Sequence, residues 1–265
     1  MKSIAIFDSG IGGITFLREG WRHLPAENFI YFADTEHVPY GTRSAEEVRQ
    51  LVKEAVAFLA RKNIKALVIA CNTATSAAVQ DLREQYAFPI FGMEPAIKPA
   101  LQHAGEKRVL VISTALTSRG DKLRMLCSSI DPKRQVDALP FDELVQTAER
   151  FDFGSPQVMK IIRDKLATVD MQAYGAVVLG CTHFIFYRHL IETMLPSPIR
   201  VFDGNRGTLA NLVKSLHGGP EAAGRSGGQI VFYSSGKPES AERERLLFRL
   251  VTEQDSISLS TGPGR

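Results

Sequence analysis

The chain has 265 residues, 44% hydrophobic and 23% charged, with 32 basic against 29 acidic side chains and a net charge of +3. This is the composition of an ordinary globular protein of one large domain or two smaller ones. With no run of five or six basic residues and no apolar stretch near the roughly 18 of a membrane span, it argues against nucleic-acid and membrane partners. The opening MKSIAIFDSG turns polar after four apolar residues and does not read as a signal peptide, so the three cysteines are expected as free thiols in a reducing cytoplasm.

From the N-terminus, short Val/Ile-rich runs alternate with longer amphipathic stretches. A strand is expected at 3–7, a helix at 13–23 and a second strand at 29–32. In 44–62, Val48, Leu51, Val52, Ala55, Val56 and Leu59 form one helical stripe, and Ser44 with Glu47 reads as the capping box. Further strands are expected at 66–70, 89–91, 108–113, 176–180, 199–202 and 229–233. Helices are expected at 74–85, 95–103, 155–167, 187–194, 207–216 and 241–251. Residues 217–228 read as a flexible loop and 256–265 as a disordered tail. Strands alternating with helices predict an α/β fold with parallel sheets.

A coarse repeat points to two such sheets. SIAIFDSG (3–10) resembles RVLVISTA (108–115), and ALVIACNT (66–73) resembles AVVLGCTH (176–183). The predicted architecture is therefore two similar parallel-sheet α/β domains facing each other across an active-site cleft, because α/β sheets bind ligands beyond the carboxyl ends of their strands.

Both copies of the second repeat end in a cysteine, Cys71 and Cys181. A thiol where a helix begins feels the positive end of the helix dipole, which predicts a lowered pKa and a reactive sulfur. Asn72 and Thr73 after the first, and Thr182 and His183 after the second, supply donors for a carboxylate and an imidazole for the thiol. Taken singly, each cysteine is more often a small buried hydrophobe; their shared context favours function. Cys127, inside an apolar helical pattern, is expected in the core.

IFDSGIGG (6–13) ends the first strand with Asp8 and Ser9. It is no dinucleotide fingerprint, since Thr15 stands where G-x-G-x-x-G needs its third glycine; Asp8 is either a turn residue or an acid or base in the cleft. HVPYGTRS (37–44) reads as a loop in which Pro39 and Gly41 set a turn and Tyr40 sits at the tip, over a ligand or simply at the surface. A phosphatase C-x5-R loop fails on Ala77 and Tyr187, there is no C-x-x-C pair, and Cys181 with His183 has no second pair of zinc ligands nearby. Two thiols on opposite sides of a cleft instead suit two-base proton transfer, which inverts a stereocentre.

With FDSGIGG (7–13), FADTEHVPYG (32–41), ACNTA (70–74) and GCTH (180–183) in this order and spacing, the chain resembles the glutamate racemases of the cofactor-independent aspartate/glutamate racemase superfamily to about residue 250. The resemblance implies that Cys71 and Cys181 are the acid–base pair, using neither metal nor cofactor. It implies that Asp8, Ser9, Tyr40, Gly41, Asn72, Thr73, Thr182 and His183 hold glutamate, with Asp8 beside Cys71 and His183 beside Cys181. It further implies lobes of 1–95 plus 205–255 and of 96–204, a homodimer, and a role in supplying D-glutamate for peptidoglycan. An aspartate racemase is the nearest alternative, and a weakly catalytic binding protein on the same fold is the alternative of another class. The stretch 111–123 keeps Thr114 and Thr117 of the family pattern, whereas Ser113, Gly120, Leu123, Leu139, Ile185 and Gly204 depart from it.

Overall fold

A computed structural model describes residues 2–216 and 227–253. The predicted tail and all but the last two residues of the predicted loop at 217–228 lie outside the described residues. The chain begins with β1 (Ser3–Asp8), α1 (Ile14–His23), β2 (Phe29–Ala33), α2 (Ala45–Ala60), β3 (Ile64–Ile69), α3 (Asn72–Gln85) and β4 (Ile90–Gly92). It continues with α4 (Ile97–Ala104), β5 (Arg108–Ser113), α5 (Ala115–Arg119), α6 (Asp121–Ile130), β6 (Val136–Pro140), α7 (Glu143–Glu149) and α8 (Pro156–Leu166). It ends with β7 (Tyr174–Leu179), α9 (Arg188–Met194), β8 (Arg200–Asp203), α10 (Asn205–Leu216), β9 (Ile230–Ser234), β10 (Lys237–Pro238) and α11 (Ala241–Thr252).

The strands form two sheets. One has six strands in the order β10-β9-β2-β1-β3-β4, parallel except for β10 against β9; the other has four parallel strands in the order β6-β5-β7-β8. The inner strands of both are covered on two faces, which explains their near-continuous Ile, Val, Leu and Ala content. Alternation still shows in which core each side chain joins. Ile4 and Ile6 pack on the side of α1, α10 and α11, while Ala5 and Phe7 pack on the side of α2 and α3.

The sequence repeat has a structural counterpart. β1 meets β3 with Ile4 opposite Ala66, and β5 meets β7 with Val109 opposite Ala176. The residues that pair are those that align in the repeat, and both ladders shift register at the same place, after the first residue of the strand.

The segment 44–62 forms α2, and Ser44 and Glu47 make both bonds of the capping box. Its stripe is buried except for Leu51, which is half-buried. Cys127 is only half-buried on α6, at the margin of the core between α4 and the second sheet, rather than inside it. Of the two readings of Tyr40, the surface turn does not hold. Residues Tyr40–Thr42 form a short 3-10 turn that buries the tyrosine ring near Phe7 and lets its hydroxyl donate to Asp34 Oδ2 at 2.6 Å. The buried hydroxyl finds its acceptor six residues upstream, which makes the inward position favourable.

Candidate active site

Four equivalent strand ends, those of β1, β3, β5 and β7, build the site. Cys71 follows β3 and is the N-cap of α3, its Sγ accepting from Ala74 N at 3.4 Å. Cys181 follows β7 and precedes the 3-10 segment Thr182–Tyr187. The two sulfurs belong to side chains only 6% and 7% exposed, so both lie where water is largely excluded. They are near enough that a charge on Cys181 would raise the pKa of Cys71.

The cysteines have different neighbours. Asp8, from the end of β1, lies close enough to Cys71 for its charge to oppose a thiolate there. Burial first, and then Asp8, pushes the Cys71 thiol up to about 12, although the Ala74 N–H and the Ser9 hydroxyl act in the opposite direction. For Cys71 the reading of a thiol acidified by a helix terminus is therefore overturned. The helix terminus is where expected, but removal from water outweighs it. Beside Cys181 the neighbour is an imidazole, with His183 Nδ1 at 3.7 Å from Sγ.

His183 Nε2 lies 2.7 Å from Glu149 Oε1 at the end of α7. Burial disfavours an imidazolium, but the hydrogen bonds to Cys181 and Glu149 outweigh it and hold His183 well above its ordinary value. Burial likewise works against the Glu149 carboxylate. His183, the Ile11 N–H at 2.7 Å and Arg243 more than compensate, keeping Glu149 below the usual carboxylate range.

The remaining predicted residues fall on both sides of the same cleft. Asp8 accepts from Gly10 N through Oδ1 and from the Thr182 hydroxyl through Oδ2, both at 3.0 Å; the second bond joins the two sheets' strand ends. Burial raises its pKa to about 6, against the lowering influence of His183 and these two donors. The Thr73 hydroxyl lies 3.0 Å from those of both Thr114 and Thr117, tying the start of α3 to the start of α5. Asn72 is buried with no hydrogen-bond partner at Oδ1 among the described residues. Ser9 is buried beside Cys71. Tyr40 and Gly41 flank this group, and a Cβ on Gly41 would sit 2.6 Å from that of Thr114. Ten residues singled out by sequence thus converge on the ends of the two sheets.

Gly12 is a tight joint between the two sides, and one that presses on main chain as well as side chain. A Cβ there would stand 2.3 Å from Thr182 Oγ1 and 2.8 Å from the backbone nitrogen of His183. The second neighbour is main chain and cannot rotate away. Gly12→Ala is expected to prise Thr182 from Asp8 and lower kcat/KM for the activity that the resemblance implies by about 100-fold, as misplacing reacting groups by an ångström does. Steady-state kinetics beside a melting curve checks this: a folded variant with wild-type kinetics would remove the joint from the account.

Sequence reading assigned no role to Glu149, Asp34, Thr114, Thr117 or Arg243. Thr114 had a visible signal in the repeat, Thr114 and Thr117 both stand in the retained family pattern, and Asp34 lies inside a quoted motif. Glu149 and Arg243 reach the site from surface-helix sequences without a local signature. Among the described residues, no group of three His, Cys, Asp or Glu side chains is placed to hold a metal ion, and no helix is long and apolar enough to cross a membrane.

Residues 19–211 match the family model described as Asp/Glu/Hydantoin racemase. A glutamate racemase of Halothermothrix orenii is 46% identical over 245 residues, covering 92% of this chain and 97% of that relative. Among solved structures, the glutamate racemase isoform RacE1 of Bacillus anthracis superposes with a TM-score of 0.81 at 28% identity, covering 93% of this chain and 94% of that one. The glutamate racemase of Thermus thermophilus, solved in complex with beta-chloro-D-alanine, gives a TM-score of 0.74 at 32% identity over 95% of this chain and 93% of that one. Family match, identity across nearly the full length and shared two-sheet architecture agree, and the chain belongs to the Asp/Glu/hydantoin racemase family.

Proposed function

We propose that the protein interconverts L- and D-glutamate by 1,1-proton transfer at the α-carbon, with Cys71 and Cys181 as the two acid–base groups. One observation carries the reading: two buried thiols follow equivalent strands of two sheets, and the residues around them are hydrogen-bonded to each other across the cleft. The names of the similar proteins support glutamate as the substrate.

One sulfur, as thiolate, takes the α-proton; the C–H electron pair moves into the α-carboxylate as the carbon flattens. The opposite sulfur, as thiol, delivers its proton to the other face and is left as thiolate. Each turnover exchanges the protonation states of the two cysteines, so Cys71 accepts the proton from one enantiomer and Cys181 from the other. Charge growing on the carboxylate is met by donors from Asn72, Thr73 and Thr182, each preorganised donor contributing about 3 kcal/mol to the transition state. The α-ammonium supplies a positive charge that eases ionisation of a thiol otherwise held near 12 at Cys71. Asp8, poised near 6, and the His183–Glu149 pair flank the two sulfurs and assist one each.

The same proposal assigns 1–95 with 205–255 to one lobe and 96–204 to the other. Its support is that β9 and β10 join the sheet of β1 to β4, while β5 to β8 form their own. We further propose a cytoplasmic homodimer that supplies D-glutamate to peptidoglycan synthesis.

Incubation of the protein with L-glutamate in D2O tests the activity. Decay of the circular dichroism to zero, with deuterium appearing at the α-carbon, is the expected result. If aspartate racemises and glutamate does not, the substrate is wrong; if neither amino acid exchanges its α-hydrogen, the racemase reading fails.

A further inference from the structure

Arg243 stands in the first turn of α11, where Ser240 Oγ caps its backbone N–H at 3.3 Å. A cation is disfavoured at that end of a helix, where the dipole is positive. Glu242 and Glu244, its neighbours, follow the rule that Arg243 breaks. A local rule broken inside an otherwise regular helix indicates that the side chain is wanted for something beyond the helix.

Its contacts show where it goes. Arg243 Nη2 is 3.5 Å from Glu149 Oε2, and the guanidinium carbon lies 5.4 Å from the centre of the Phe151 ring. Nε is 3.3 Å from Glu239 Oε2, too bent for a hydrogen bond. The side chain is 28% exposed, so it is a half-buried strut rather than a solvated surface charge. Glu149 divides its two oxygens: Oε1 faces His183 Nε2 and Ile11 N, and Oε2 faces Arg243. The charged and titratable groups around that carboxylate are His183 from the segment after β7, Asp8 from β1, Tyr31 from β2 and Arg243 from α11. Of these, only the guanidinium is placed on Oε2. Because α11 packs on α1 beside the first sheet and Glu149 ends a helix of the second, the contact also spans the cleft.

We propose that Arg243 is a positioning residue for the Cys181 half of the reaction: it fixes the Glu149 carboxylate by one oxygen so that the other stays on His183, beside the Cys181 sulfur. The inference rests on the racemase reading for its kinetic consequence, but its structural core stands apart from turnover. Without Arg243, the carboxylate is free to rotate away from Ile11 and His183, and the imidazolium loses the partner that stabilises its charge.

The test uses Arg243→Gln and Arg243→Lys in the full chain, with nitrogen-15 NMR titration of the histidines; His183→Asn assigns the His183 signal. Positioning and simple charge give opposite signs. If Arg243 acted only as a nearby positive charge, its removal would raise the His183 midpoint. If it holds Glu149 in place, the midpoint falls, expected here by about one unit or more. In parallel, kcat/KM is expected to fall about tenfold, equally for the two enantiomers because their equilibrium constant is one. Arg243→Lys should recover to within about threefold of wild type, since it keeps the charge but not the planar fork. A His183 midpoint that rises or stays put in Arg243→Gln overturns the proposal, as does a full rate. Should the wild-type protein not racemise glutamate, the NMR result still decides whether Arg243 positions Glu149, and the two failures remain separate.

Discussion

Cys71→Ala will abolish racemisation in both directions, with a loss of about 10^4-fold, the upper range for removing one general acid–base group. In the proposed two-thiol mechanism every turnover uses both sulfurs, so Cys181→Ala is expected to lose as much. The informative measurement is isotopic. In Cys71→Ala, Cys181 still faces one side of the α-carbon, so one enantiomer should exchange its α-hydrogen with D2O without inverting. In Cys181→Ala the other enantiomer should do so. Proton NMR of each pure enantiomer, followed by chiral chromatography, gives both readouts. If either single variant kept full turnover, the two-thiol mechanism would be wrong. If both variants exchanged the same enantiomer, the assignment of one sulfur to each face would fall.

The second large effect concerns stability. Asp8 is completely buried and its pKa is raised to about 6 from 3.8. The folded protein therefore holds that proton more tightly than the unfolded chain does. The associated stability is present in full below the unfolded value near 3.8 and lost as pH rises through about 6. A shift of about two pKa units corresponds to about 3 kcal/mol at neutral pH. Asp8→Asn removes the ionisation while keeping an oxygen acceptor in place. At pH 4 the variant should melt close to wild type, and at pH 7 it should melt about 6–10 °C higher. Racemisation should fall by about 100-fold, because the carboxylate beside Cys71 is gone. Melting curves at the two pH values check the first claim, and parallel wild-type and variant profiles would sink it. On the proposed mechanism, the site holds a group that is costly to the fold and useful to the chemistry, a common compromise in active sites.

The parts of the molecule that sequence made legible share a physical cause. Strands such as β3 and β7 are buried on both faces and read as unbroken apolar runs, and a polar residue at their ends is conspicuous for that reason. The repeat then drew attention to Cys71 and Cys181 together. The region from Ala115 to Glu149 was far less legible. α5 has five residues, too few to show a period, and β6 has no buried residue to mark a face. Glu149 enters the candidate site because the chain folds it back onto Ile11 and His183, partners that no local pattern connects. Cys71 illustrates a different limit. Its helix terminus was visible in the sequence, but the degree of burial that reverses its acidity is a property of the packed fold.

The pairing of β9 with β2 sets a timetable for synthesis. β2 emerges from the ribosome early, yet the neighbour that covers its outer edge is made roughly 200 residues later, about 10–40 s at ordinary rates of translation. During that interval FIYFA, buried throughout in the finished protein, presents an uncovered apolar edge, the kind of surface on which nascent chains associate wrongly. The sheet of β5 to β8 needs nothing made after Asp203 and can close first. The nascent chain is then expected to pass through a stage in which its middle is folded and its beginning waits for its end.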